Sequence, residues 1–185
     1  MILPLFRRPG RTIAALYGAI VAQARSAYFY AEMGVPDTVS GRFDMVLLHV
    51  VLVLRRLREG EAGERALAQG LFDAFCRDMD HNLREMGISD QGLPRHMQRV
   101  GEAFYGRAQA YEAALGAAAD EGALTDALAR NVYPDTADGL CAVALARYVR
   151  NVAEVLGTQS IAALAAGVIS FPDPGIPQSC DRVRQ

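Results

Sequence analysis

Apolar and polar positions recur along most of this chain with a period near 3.6, the mark of amphipathic helices. One stretch breaks the rule. From Phe43 to Leu57 the residues are apolar on almost every side. Phe43, Val46, Leu47, Val50, Leu54 and Leu57 fall at helical spacing, and Met45, Leu48, Leu52 and Val53 fill the other faces. A helix without a polar face lies in a core or in a membrane. A span needs about 20 apolar residues. Here Asp44 stands at the start, His49 inside, and Arg55 and Arg56 at the end. The run is therefore expected to be a central core helix. Ser40 is its expected N-cap and Gly60 its stop. Arg55, Arg56 and Arg58 suit the negative end of its dipole.

The other elements sheathe it. Residues 11–32 read as a first helix ending in three adjacent aromatics, Tyr28, Phe29 and Tyr30, so at least one must leave the core stripe. Gly34 to Thr38 is a connector, because Gly and Pro both break helices. A third helix runs from about 64 to 86, with Leu67, Leu71, Phe72, Phe75, Met79, Leu83 and Met86 inward and Gly87 as C-cap. A fourth starts at Pro94 and carries Met97, Val100, Phe104, Ala108, Tyr111 and Leu115. Shorter helical patterns cover 121–131 and 159–166. Residues 137–156 form another long helix, with Leu140, Ala144, Tyr148, Val152 and Val155 inward. No stretch alternates with period two. The expected fold is all-α: a single compact bundle of six to seven helices around a buried central helix. Residues 1–10 are expected as a flexible segment, 11–177 as the helical domain and 178–185 as a mobile tail.

Composition narrows the function. The 185 residues suit one domain, and 51% are hydrophobic, so a full core is available. Net charge is −2. No dominant basic surface exists for direct nucleic-acid binding. The charge is uneven: residues 1–60 hold eight Arg against four acids, and 61–185 hold eleven against seventeen. All 19 basic residues are Arg. Without lysine, Schiff-base chemistry, Ser-Lys pairs and the P-loop are excluded. Arg without Lys, in an Ala-rich chain, suits a GC-rich bacterial gene. The isolated Cys76, Cys141 and Cys180 form neither a disulfide framework nor a zinc spacing, and point to a reducing compartment. Arg7, Arg8 and Arg11 ahead of a moderately apolar run resemble a secretory signal. The run continues without a break into a helical pattern, however, so a retained first helix is expected.

Few side chains suggest chemistry. Asp78, His81 and Glu85 stand at i−3, i and i+4 of one helix, a face able to hold a divalent metal. A di-iron bundle needs a second such motif on another helix, and none is present. The i,i+4 pairs Asp73–Arg77 and Asp80–Arg84 read instead as a solvated face. His49 reads as a satisfied core histidine, and Cys76 as a packed thiol. No G-x-S-x-G and no glycine-rich phosphate loop occurs. Two clusters remain. One is the connector with Pro36, Asp37, Thr38, Arg42, Phe43 and Asp44. The other is Phe104-Tyr105-Gly106-Arg107 with Tyr111, where a mid-helix Gly suggests close helix approach. Arg among aromatics is typical of protein interfaces.

Three stretches carry a resemblance: YGAIVAQARSAYFYAEMGVPDTVSGRFDMVLLHVVLVLRRL, LFDAFCRDMDHNLREMGISD and FYGRAQAYEAAL. In that order and spacing, over Tyr17 to Leu115, the chain resembles the ubiquinol–cytochrome c reductase chaperone family. The resemblance implies an all-α protein without enzymatic activity or cofactor. It implies a polypeptide client, cytochrome b or another complex III component, held during biogenesis. It also implies a small partner protein and contacts near the ribosome. The expected client or partner face is Asp37, Arg42, Asp44, Asp78, Asp80, Arg84, Arg107 and Tyr111, where charged groups flank apolar stripes. The expected location is cytoplasmic, or peripheral at the inner face of the plasma membrane. Two other readings follow from the residues: a metal-dependent helical enzyme using Asp78, His81 and Glu85, and a peripheral membrane protein. The second would use Met1, Ile2, Leu3 and Phe6 with Arg7, Arg8 and Arg11.

Overall fold

The computed structural model describes residues 9–58, 60, 62–116, 120, 122–135 and 139–175. Within them lie six helices of ten residues or more and two of five. They are α1 (Pro9–Ala24), α2 (Ala27–Ala31), α3 (Val39–Arg58), α4 (Ala62–Glu85), α5 (Leu93–Ala114), α6 (Ala123–Val132), α7 (Leu140–Thr158) and α8 (Ile161–Ala165). The described residues contain no strand. Of the segment 1–10 expected to be flexible, residues 1–8 lie outside the described residues, while Pro9 and Gly10 already belong to α1; the expected tail 178–185 also lies outside the described residues.

The central helix is α3, as its pattern requires. Every residue from Asp44 to Leu54 is buried. Helices α1, α4, α5, α6 and α7 all pack on it. Each fully buried Leu or Val there stabilises by about 1.5–3 kcal/mol. Its cap differs from expectation. The hydroxyl of Thr38, not Ser40, accepts the amide hydrogen of Gly41 at 3.1 Å. The helix thus starts one residue before Ser40. Gly41 is needed at that point, because a Cβ there would stand 2.0 Å from the Pro36 carbonyl oxygen.

The arginines that end α3 do more than balance its own dipole. Arg56 donates to the carbonyls of Leu156 (2.9 Å) and Gln159 (3.1 Å), closing the C-terminus of α7. Arg55 donates to the carbonyl of Leu115 at the end of α5 (3.3 Å). Arg58 pairs with Glu112. One cationic cluster therefore satisfies the carbonyls that neighbouring helices leave open.

The expected first helix is broken at Ser26, whose backbone is extended (φ −55°, ψ 127°). The break lets α2 turn Phe29 fully into the core, while Tyr28 remains 37% exposed. Tyr30 donates its hydroxyl to the Ala24 carbonyl at the end of α1 (2.8 Å). Two other expectations are also corrected. Leu140 is 72% exposed rather than inward, because it opens the first turn of α7. Gly106 marks no close approach, since nothing stands within 4 Å of where its Cβ would be.

His49 is fully buried and fully satisfied. Its Nδ1 lies 2.7 Å from the Met45 carbonyl, which can only accept, so Nδ1 carries the proton. Nε2 then accepts from the Tyr148 hydroxyl at 2.8 Å. Gln23 donates one amide hydrogen to the Tyr148 oxygen (2.9 Å) and the other to the Pro172 carbonyl (3.0 Å). Phe29, Tyr148 and Phe171 ring the imidazole, with centroids 5.5–5.7 Å away. The network joins α1, α3, α7 and the segment after α8. Burial pushes the His49 pKa down to about 4, so the ring is neutral at pH 7.

Two variants test this core. Leu47→Asp places an unpaired charge in a fully buried site, costing several kcal/mol against a total of about 5–15. It should abolish cooperative melting by circular dichroism, and native helicity with an unchanged Tm would refute the central role of α3. Tyr148→Phe should leave His49 Nε2 without a donor and cost about 1–3 kcal/mol. In a chain of this size each kcal/mol lowers Tm by about 2–4 °C. An unshifted Tm would show that the network contributes nothing.

Candidate functional site

The first turns of α3, the last turns of α4 and the first half of α5 do not close on one another. They leave a groove of about 710 Å³. Its apolar lining is Val39, Phe43 and Val46 from α3, Met79 and Leu83 from α4 with Met86 just past its end, and Val100 and Ala103 from α5. Arg25, Arg42, Asp78, Glu85, His96 and Arg99 also line it. Met79, Leu83 and Met86 fall at i, i+4 and i+7, the spacing of one helix face. Behind Phe43 the space is filled by aromatic packing: Phe43 on Phe75 (6.2 Å between centroids), and Phe104 on Phe72 and Phe75 (5.0 and 5.3 Å). Val39 is 67% and Met86 58% exposed, large apolar side chains left facing water.

The turn after α4 fixes the groove's outer wall. Gly87 adopts φ +85°, and Ile88 N–H reaches back to the Leu83 carbonyl (3.1 Å), ending the helix in a left-handed cap. Arg84 bridges Asp80 (2.8 Å) and Asp90, tying the end of α4 to that turn.

The groove's polar edge is partly engaged already. Asp78 accepts the Tyr17 hydroxyl of α1 at 2.8 Å. Burial first, then the carboxylate, pushes the Tyr17 pKa far above its ordinary value. Arg42 pairs with Asp37 at 2.6 Å and lies over the Tyr30 ring at 5.9 Å. The guanidinium hydrogen bond holds Asp37 below the ordinary carboxylate range. A second hollow of about 450 Å³ adjoins, lined by Arg25, Ala27, Tyr30, Ala31, Asp37 and Arg42. Arg25 and Arg42 therefore line both.

A different set of predicted residues lies inside the protein. Asp44 and Tyr111 are buried, so neither can stand on an exposed rim. Arg107, with a side chain 20% exposed, places Nη2 2.9 Å from Asp44 Oδ1 and its guanidinium 5.9 Å from the Phe43 ring. The approach to Oδ1 is close enough for an ion pair but off the line of a hydrogen bond. Asp44 Oδ1, Arg107 Nε and the Tyr111 hydroxyl are all buried and lack a hydrogen-bond partner among the described residues. Burial raises the Asp44 pKa to about 6, against the opposing pull of Arg107. Arg107 thus links this under-satisfied pair to the Phe43 ring.

Of the eight predicted residues, then, Arg42 and Asp78 line the groove, and Asp37 holds Arg42 from the adjoining hollow. Asp80 and Arg84 brace the neighbouring turn, while Asp44, Arg107 and Tyr111 are internal. Asp78, His81 and Glu85 do not converge. Asp78 turns to Tyr17, while His81 pairs with Glu85 at 3.1 Å in solvent. Among the described residues no three His, Cys, Asp or Glu side chains gather as a metal site would require. Arg7 and Arg8 lie outside the described residues, and Arg11 is exposed on α1. Sequence reasoning missed Arg25, Val39, His96 and Arg99, and assigned Leu83 and Met86 to the core stripe. Helical periodicity marks the side that faces other helices, and it reads the same where those helices splay apart.

Comparison with known proteins agrees with this architecture. A family model described as ubiquinol–cytochrome C chaperone matches residues 31–171. Ubiquinol-cytochrome-c reductase complex assembly factor 1 of Xenopus laevis is 29% identical over 150 residues, 79% of this chain and 74% of that protein. The crystal structure of the Cbp3 homologue from Brucella abortus is 45% identical and superposes with a TM-score of 0.83, covering 94% of this chain and 98% of that one.

The two buried titratable groups on α3 make a pH prediction. Asp44 holds its proton up to about pH 6 when folded but releases it near 3.8 when unfolded. The folded state binds more protons in that window, so this group lowers stability as pH rises through it. His49 acts oppositely: its folded pKa of about 4 lies below the ordinary 6.5, so its contribution raises stability as pH rises from about 4 to 6.5. The two should largely cancel. Asp44→Asn should gain up to about 3 kcal/mol relative to the parent between pH 4 and pH 6. Urea unfolding at a series of pH values measures it, and parallel curves for parent and variant would show that Asp44 titrates normally.

Proposed function

Because the chain belongs to the ubiquinol–cytochrome c chaperone family, we propose that it is a non-enzymatic assembly chaperone whose groove receives an apolar segment of its client. The client is cytochrome b or another component of complex III. The observation that carries this reading is the groove itself. A 710 Å³ apolar trough with exposed Val39 and Met86 at its edge is surface that a protein without a partner would bury. Met79 and Met86 suit a client of variable shape, since the unbranched thioether adapts to irregular contacts. Arg42 from α3 and Asp78 from α4 supply polar contacts along the groove, and the Arg84 clamp keeps the end of α4 in place.

No helix among the described residues is long and apolar enough to cross a membrane. In this reading the protein works beside the membrane that receives the client, on its cytoplasmic side. It engages the segment before insertion and releases it to the bilayer or to the assembling complex.

Cell-free synthesis of cytochrome b with the purified full chain tests the proposal. A photoreactive residue in place of Leu83 should cross-link to the new polypeptide. Val39→Asp with Met86→Asp should lower the yield about tenfold or more, as expected for the loss of about 1.4 kcal/mol. Both sites are exposed, so stability should stay within about 0.5 kcal/mol per change. Undiminished cross-linking in a folded double variant would show that the client binds elsewhere.

A further inference from the structure

Resting on the groove reading above, we infer that the segment recognised is an apolar stretch flanked by acidic residues, read by Arg25 and Arg99. The charges around the groove divide into those already committed and those free. Arg42 is engaged by Asp37 at 2.6 Å. Asp78 accepts from Tyr17 at 2.8 Å, and Glu85 faces His81 at 3.1 Å. Arg25 and Arg99 line the same groove, and their side chains have no hydrogen-bond or ion-pair partner among the described residues. Tyr17 is an uncharged donor, so Asp78 keeps its negative charge; what sets Arg25 and Arg99 apart is that their guanidinium donors stand open.

The two free cations come from different elements, Arg25 from the end of α1 and Arg99 from α5. An apolar segment in the groove meets one guanidinium on each of two walls. Arg25 also lines the adjoining hollow, so an occupant can lead its polar flank out of the apolar trough there. Guanidinium is a planar, permanently charged donor matched to carboxylates. A lysine-flanked segment would place like charge against both walls and is disfavoured by the same geometry. The selection acts at flanks rather than on the apolar sequence, which suits a chaperone for segments of varied composition.

The test uses the full chain and labelled peptides with one leucine-rich segment flanked by Asp, by Gln or by Lys, read by fluorescence anisotropy. The Asp-flanked peptide should bind about tenfold more tightly than the Lys-flanked one, a charge-assisted contact's usual effect. The preference should shrink as salt rises, since exposed charges are screened. Arg25→Gln with Arg99→Gln should abolish the preference while keeping the affinity for the Gln-flanked peptide. Both arginines are exposed, so the variant should melt like the parent. Equal binding of all three peptides would overturn the charge reading and leave the groove reading standing. Failure to bind any would overturn both. Preference surviving in the double variant would move recognition to other residues. Vesicles containing phosphatidylglycerol that capture the parent but not the variant, with no discrimination among peptides, would assign the two cations to lipid instead.

Discussion

The structure depends on one constraint: a helix with no polar face must be covered on every side. Helix α3 presents buried side chains continuously from Asp44 to Leu54, and five helices meet that demand. The consequence appears at both ends of α3. At its C-terminus, Arg55, Arg56 and Arg58 reach out to groups that α5 and α7 leave open. At its N-terminus the sheath is incomplete. Val39 and Phe43 emerge between α4 and α5, and the groove is what remains uncovered.

Two polar intrusions into α3 show how context decides the outcome for a buried ionisable group. His49 has every donor and acceptor met, and the network around it ties together segments distant in sequence. Asp44, five residues earlier, has only an imperfect partner in Arg107, and burial drives its carboxyl toward the protonated form. A satisfied polar group specifies one packing, whereas an under-satisfied one keeps a cost in the folded state. That cost sits next to Phe43, the aromatic residue of the groove wall, whose ring the Arg107 guanidinium approaches. The pair is thus better read as support for the groove than as part of its contact surface.

The family relationship and the groove lead to the same kind of activity by different routes. Family membership indicates an assembly role in the biogenesis of complex III. The geometry supplies a concave apolar surface edged by charge. In the proposed reading an apolar client is held by the same burial that holds the core, so its affinity is bounded by how much of the groove it fills.

What the chain determined by itself was the all-α class, the central position of residues 43–57 and most of the stripes packed on them. These follow from local periodicity, which survives any arrangement of the helices. Tertiary structure alone decided the rest. It broke the first helix at Ser26 so that Phe29 could enter the core, and moved the α3 cap to Thr38, where Gly41 passes the Pro36 carbonyl. It turned Asp44, Arg107 and Tyr111 inward, although in sequence they read as interface residues. It opened a groove at Leu83 and Met86, which in sequence continue the core stripe. Periodicity reports which side of a helix is apolar; whether another helix arrives to cover it depends on angles set far away along the chain.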